Sequence, residues 1–300
     1  MSSSIMPVTV WNQGEIFVKP QAKDGWPSDL ANPVLVPPVS VFSVLVGFVD
    51  KTLVIAELEV RRLRHDFTDV VTRAIQPVLW LLLFGEVFTK VRAISTGDVP
   101  YLDFMAPGIL AQSVLFVAIF YGIGIIWERD LGIGHKFLVS PTPRGALVLG
   151  KALSAGVRSL SQAVIIYVLA LLLGVRMNWS APALVGVLVI VILGAALFST
   201  VSLIIASLVK TRERFMGMGQ VLTMPLFFAS NAIYPISMMP VWLQIISHIN
   251  PLTYEVDGLR ALMLAHGTSN FGLGLDFGIL LAATGVAVAI GARLYPRVVT

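Results

Sequence analysis

Six long apolar stretches constrain this chain more than anything else in it: residues 70–89, 105–127, 146–174, 183–209, 215–236 and 274–294. A hydrocarbon core about 30 Å thick is crossed by about 20 helical residues. Lipid offers the backbone no hydrogen-bond partner, so a crossing segment must satisfy its own peptide groups, as a helix does. Each stretch therefore predicts a membrane helix. The fifth is the weakest, because Pro225 and Pro235 interrupt it and Asn231 is polar. Only 13% of residues are charged and 56% are hydrophobic, whereas soluble domains carry about a quarter charged residues. The expected fold class is all-α integral membrane, with six transmembrane helices.

Residues 1–49 read as an N-terminal cytoplasmic tail and 50–300 as the membrane unit. The first 30 residues have no basic start and no continuous apolar run, so no cleavable signal peptide is expected. Residues 34–49 are apolar but broken by Pro37-Pro38, which suits an approach to the membrane surface. In "DKTLVIAELEVRRLRHDF", Leu53, Ala56, Val60 and Leu63 recur at helical spacing, and Glu57 and Arg61 stand four apart. That predicts an amphipathic helix on the cytoplasmic surface, leading into the first span. Six spans put both termini on one side. With both cytoplasmic, sixteen of the 21 Lys and Arg fall inside. Lys90, Arg92, Arg176 and Arg260 fall outside, and Arg158 lies within the third span. The asymmetry follows the positive-inside rule, so the formal charge of +4 speaks for membrane orientation and against nucleic-acid binding.

Several chemistries are excluded or weakened. The chain has no cysteine, and its four histidines (His65, His135, His248, His266) are too dispersed for a local metal-ligand motif. Gly145, Gly150 and Lys151 have the spacing of a phosphate-binding loop. However, Ala152 stands where a magnesium-binding hydroxyl is needed, and the intervening Ala-Leu-Val-Leu favours an apolar helix. Arg144, Lys151 and Arg158 instead form a basic stripe seven residues apart, whose long side chains can reach the headgroups. Arg158 lies about 10 Å deeper than Lys151 at 1.5 Å per residue, so a protein interior or a wet cavity is equally open to it. A membrane enzyme would need a constellation of acids, nucleophiles or ligands within the spans. Glu86 and scattered hydroxyls do not make one.

Two connections carry the more specific signals. After the second span comes "WERDLGIGHKFLVSPTPRGALVLGK", with a charged head of Glu128, Arg129 and Asp130. Lys136, Phe137 and Leu138 follow, and Pro141 and Pro143 punctuate the chain before the next helix. Between the fifth and sixth spans, residues 240–249 are apolar but too short to cross. Asn250-Pro251 then reads as an N-cap followed by proline at the first helical position. The next short helix carries Glu255, Asp257 and Arg260, with Asp257 and Arg260 three apart and able to pair. Tyr234, Trp242 and Tyr254 suit an interface. Phe227, Phe228, Met238 and Met239 could line a path for a lipophilic molecule.

"WERDLGIGHKFLVSPTPRGALVLGKALSAG" and "HINPLTYEVDGLRALML" resemble, respectively, the cytoplasmic segment and the pre-terminal short-helix region of ABC-2-type permeases. The likeness covers about residues 50–297 and is nearest in flavour to the drug-resistance and nodulation-exporter branch. Gly134-His135 departs from the helix-friendly run more usual there, which leaves the length of the coupling helix open. The resemblance implies a permease in the inner membrane of a bacterial cell, with a cytoplasmic coupling helix within residues 128–140 contacting a separate ATP-binding subunit. Glu128, Arg129, Asp130 and Lys136 would be its polar contacts, and Phe137 and Leu138 its apolar anchors. Two short re-entrant helices would form an outer gate. The chain would hold no cofactor of its own, since ATP and Mg would bind two ATPase copies, and a second permease copy would complete the pathway. Export of a drug-like or lipid-like molecule ranks first. Export of a lipid-linked glycan ranks second, and a membrane enzyme is remote.

Overall fold

In the computed structural model of the chain, the described residues are 8–10, 16–18, 72, 75–91, 94, 96, 99–130, 144–209 and 211–299. They fall in two units, Met1–Lys51 and Thr52–Thr300. The first unit holds an antiparallel pair, β1 (Val8–Val10) and β2 (Ile16–Val18), with Val8 opposite Val18 and Val10 opposite Ile16. The pair lies in the N-terminal unit, and the helical expectation holds for the membrane unit. Both triplets are rich in β-branched and aromatic residues, which fit extended backbone. The surface helix expected before the first span lies outside the described residues.

The second unit is helical. Residues 75–91 comprise an α-helical start, a π-helical stretch Trp80–Gly85 and α1 (Glu86–Val91). Then come α2 (Tyr101–Asp130), α3 (Arg144–Leu172), α4 (Ala181–Leu208) and α5 (Arg212–Phe228). The short pair α6 (Val241–Ile249) and α7 (Pro251–Met263) precedes the last helix, α8 (Leu273–Val299). Among the described residues, four helical segments are long and apolar enough to cross a bilayer: Tyr101–Trp127, Val148–Leu172, Ala181–Leu208 and Leu273–Tyr295. They coincide with the second, third, fourth and sixth apolar stretches.

The first and fifth stretches end differently from expectation. The fifth, expected to run to residue 236, stops as a helix at Phe228. Pro225 lies inside this helix, which continues past it to Phe228. The Ser230 hydroxyl then donates to Phe227 O at 2.7 Å and accepts from Ala232 N at 3.3 Å, which holds a turn in place of further helix. In the first, the π-helical stretch interrupts the regular ladder.

The central helix is α4, which packs on α2, α3, α7 and α8. It is apolar on nearly every face: most residues from Ile190 to Ala206 are buried, while Val185, Leu188 and Val189 near its start are exposed. Where α2 crosses it, the Ser202 hydroxyl of α4 donates to Ile119 O of α2, and Gly122 faces that hydroxyl. A side chain at Gly122 would fill the space the hydroxyl occupies; small residues let membrane helices approach this closely. The outer surfaces of α3 and α8 expose Val164, Val168, Leu172, Leu281 and Val286, as lipid-facing or subunit-facing helices do.

At the end of the bundle where α2 begins, the α3–α4 connection is stapled to the end of α7. Asn178 N donates to Met263 O at 2.8 Å and Ala265 N to Arg176 O at 3.0 Å, around a bridge between Met177 and Leu264. Arg176 Nε also lies 3.5 Å from Asp103 Oδ2 on α2.

Candidate functional site

The helix α7 gathers the densest buried polar chemistry among the described residues. Its start is built by Asn250, which ends α6 and caps α7. Asn250 Oδ1 accepts from Leu252 N at 3.0 Å, and Nδ2 donates to Leu226 O at 2.7 Å, with Pro251 at the first helical position. The cap expected from the Asn-Pro pair is present. Asp257 is fully buried and accepts from Asn270 N and Nδ2, both at 2.7 Å, from Ser269 Oγ at 2.8 Å and from Phe271 N at 3.2 Å. A longer contact, 3.5 Å, comes from Asn231 Nδ2. Ser269 Oγ also lies 2.8 Å from Asp276 Oδ2 and accepts from Gly272 N at 2.6 Å.

Arg260 does not pair with Asp257 as their spacing suggested. Its Nη2 donates to Asn231 O at 2.8 Å and Phe104 O at 3.3 Å, and the guanidinium stands 3.8 Å from the Phe104 ring centroid. Asn231 therefore bridges the two charges: Asp257 is already filled by the 269–271 turn, which arrives from a distance in sequence. Burial lowers the Arg260 guanidinium to about 10, and the Asp257 charge opposes that shift. Glu255 is fully buried, and neither carboxyl oxygen has a hydrogen-bond partner among the described residues. It packs against Gly194 of α4, where any side chain would collide with the carboxyl. Burial holds its acid group well above the ordinary carboxylate range.

The aromatic residues expected at a headgroup level divide. Trp242 on α6 is 64% exposed, whereas Tyr254 is buried, with its hydroxyl donating to His248 O at 2.7 Å and its ring 5.0 Å from that of Phe271. Tyr234 donates to Phe228 O. The four candidate path residues do not share one lining. Phe227 is fully buried in the core against Trp80, and Met239 is also buried, while Phe228 and Met238 are exposed. Asn231, Ser269, Asn270 and Asp276 were not among the sequence candidates. The available signal was "TSNFGLGLD", polar residues and glycine just before an apolar run, which marks a helix start.

At the opposite end, Glu128, Arg129 and Asp130 form the last turn of α2 instead of a free loop. Asp130 Oδ2 accepts from Arg212 Nη2 at 2.8 Å, and the Arg212 guanidinium lies 3.6 Å from the Trp127 ring centroid. Arg129 Nη1 donates to Val209 O at 3.1 Å, and its Nε is 3.8 Å from Asp130 Oδ1. The end of α2 is thereby clamped to the start of α5. Lys136, Phe137 and Leu138 lie outside the described residues. Arg144, Lys151 and Arg158 all sit on α3, with Arg158 5.7 Å from the Tyr121 ring centroid. Gly145, Gly150 and Lys151 lie inside that same helix, so their phosphate-loop spacing does not form a loop. Among the described residues, no cluster of three His, Asp or Glu could hold a metal ion.

Residues 51–264, which take in the clamp, the central helices and the α6–α7 pair, match the family described as ABC-2 type transporter. The chain belongs to that family. This ABC-2 permease is 31% identical to a putative transport permease, ycf38, of Cyanophora paradoxa, over 72% of this chain and 74% of the relative. It is 27% identical to the daunorubicin resistance ABC transporter permease protein DrrB1 of Streptomyces coeruleorubidus, over 78% and 80% of the two chains. It is 24% identical to the inner membrane transport permease YadH of Escherichia coli K12, over 72% and 85%. As a member, the ABC-2 permease is a multi-pass membrane transport subunit, and proteins of this family generally work with an ATP-binding subunit.

Proposed function

We propose that this permease is the membrane path of an ATP-driven exporter that moves a lipophilic drug-like or lipid-like molecule out across the inner membrane of a bacterial cell. The observation that carries the reading is the family match over residues 51–264, laid on a bundle with four span-length helices among the described residues. The daunorubicin-resistance relative supports a drug-like cargo. In this reading the first and fifth apolar stretches complete six crossings, both termini are cytoplasmic, and the clamped end of α2 faces the cytosol. Residues 128–140 then meet the ATPase: Glu128, Arg129 and Asp130 root the contact, and Lys136, Phe137 and Leu138 make it. The α6–α7 pair closes the outer side. ATP and Mg bind two copies of the partner ATPase, and a second permease copy completes the pathway.

The test is co-purification of the permease with an ATP-binding cassette subunit, followed by substrate-stimulated ATP hydrolysis. Lys136→Glu and Glu128→Ala are expected to lower the stimulated rate several-fold while leaving assembly intact. A transporter that exports without any ATPase subunit, or a purified permease that hydrolyses ATP alone, overturns the reading.

A further inference from the structure

A second feature lies at mid-membrane depth, away from both sites above. Four helical segments each place a glutamine on one open cavity of about 370 Å³: Gln112 on α2 and Gln162 on α3 in its depth, and Gln76 before α1 and Gln220 on α5, both exposed, toward its mouth. The segment Tyr101–Trp127 centres on Val114 and Val148–Leu172 on Leu160, so Gln112 and Gln162 each stand two residues from the middle of a span. Both are almost fully buried, and Gln162 Oε1 has no hydrogen-bond partner among the described residues. Phe116, Phe120 and Met224 supply the apolar part of the wall, and among the described residues no charged side chain lines it.

The two buried amides, Gln112 and Gln162, lack water to bond, and polar groups inside a membrane bundle mark ligand pathways. An amide offers two donors and an acceptor without charge. Aromatic and methionine walls adapt to flat, polarizable surfaces. An ionic ligand would lose its hydration here and find no counter-charge. We infer that the glutamine-lined cavity between α2, α3 and α5, inside one protomer, is a binding site for an uncharged aromatic molecule bearing hydroxyl or carbonyl groups. This site rests on the export reading for its purpose, but it is defined by its own chemistry.

Light-driven labelling tests it without ATP or transport. The purified permease in lipid nanodiscs is irradiated with 4-hydroxybenzophenone, an uncharged aromatic ketone that inserts into nearby C–H bonds, and the adducts are mapped by mass spectrometry. Saturable adducts at Met224 are expected. Gln112→Leu and Gln162→Leu, which keep the bulk and remove the amide, are each expected to reduce them about tenfold, the loss set by roughly one hydrogen bond. A trimethylammonium analogue of the same probe is expected to label Met224 of the unaltered protein about tenfold less, so the proposal stands or falls even if a variant fails to fold. Labelling of the exposed Met216 and Met218 as strong as that of Met224 overturns the proposal. So do adducts indifferent to both substitutions, or an equal yield from the cationic probe. Loss of ATP-driven efflux with labelling intact would sink the export reading and leave the cavity standing; the converse would remove the cavity alone.

Discussion

Ser269 has one hydroxyl hydrogen and two carboxyl groups within 2.8 Å. It cannot donate to both. Asp257 already accepts from two backbone amides and a side-chain amide. Ser269 Oγ thus bridges two acids, and for the Asp276 carboxyl it is the one hydrogen-bond partner among the described residues. The two acids should then respond differently to the same substitution. Asp257→Asn turns a donor toward other donors and is expected to destabilise the purified protein by about 2 kcal/mol or more. Asp276→Asn can still meet the Ser269 hydroxyl, through its amide oxygen or nitrogen, and should shift the melting temperature little. Glu255 yields a pH prediction. Its folded-state pKa is raised above the ordinary 4.5, so between that value and the raised one the folded protein holds a proton that the unfolded chain releases. Stability then falls as pH rises through this window and levels off above it. Glu255→Gln is expected to remove that fall in melting curves taken between pH 5 and pH 8.

Among the elements, apolar length alone located α2, α3, α4 and α8, because a run of more than twenty apolar residues has few other folds available. The Asn250-Pro251 cap was equally legible, since its partners are two residues away. What could not be read were contacts set by distant chain. Asn231 comes between Asp257 and Arg260, and the 269–271 turn occupies the acid first. Fifth-stretch length was overestimated because hydropathy does not register the local bonds of Ser230. The charged head after the second span was read as loop, yet Asp130 and Arg212 extend the order of α2 to its last turn. Half-exposed ion pairs contribute little on their own, about 0.2–1 kcal/mol. Arg212→Ala, which also removes the stacking on Trp127, is thus expected to change the melting temperature only slightly. Under the proposed function it should nonetheless reduce substrate-stimulated ATP hydrolysis severalfold, because it frees the end of α2 that roots the ATPase contact. An unchanged hydrolysis rate would show that the clamp is purely structural.

For the molecule as a whole, sidedness is the property on which the proposed mechanism turns, and the absence of native cysteine makes it directly measurable. Trp242→Cys is expected to react with a membrane-impermeant maleimide in intact cells, and Lys136→Cys only after permeabilisation. The reverse pattern would invert the chain and with it the roles of its two ends. Finally, the pair of backbone bonds joining the 176–178 turn to residues 263–265 has a mechanical meaning. If α7 acts as the outer gate of the proposed exporter, it cannot swing by itself: it must either haul the α3–α4 hairpin along as ballast or tear two amide links first. Opening would thereby be geared to a tilt of that hairpin, so that gate and hairpin turn as a single lever.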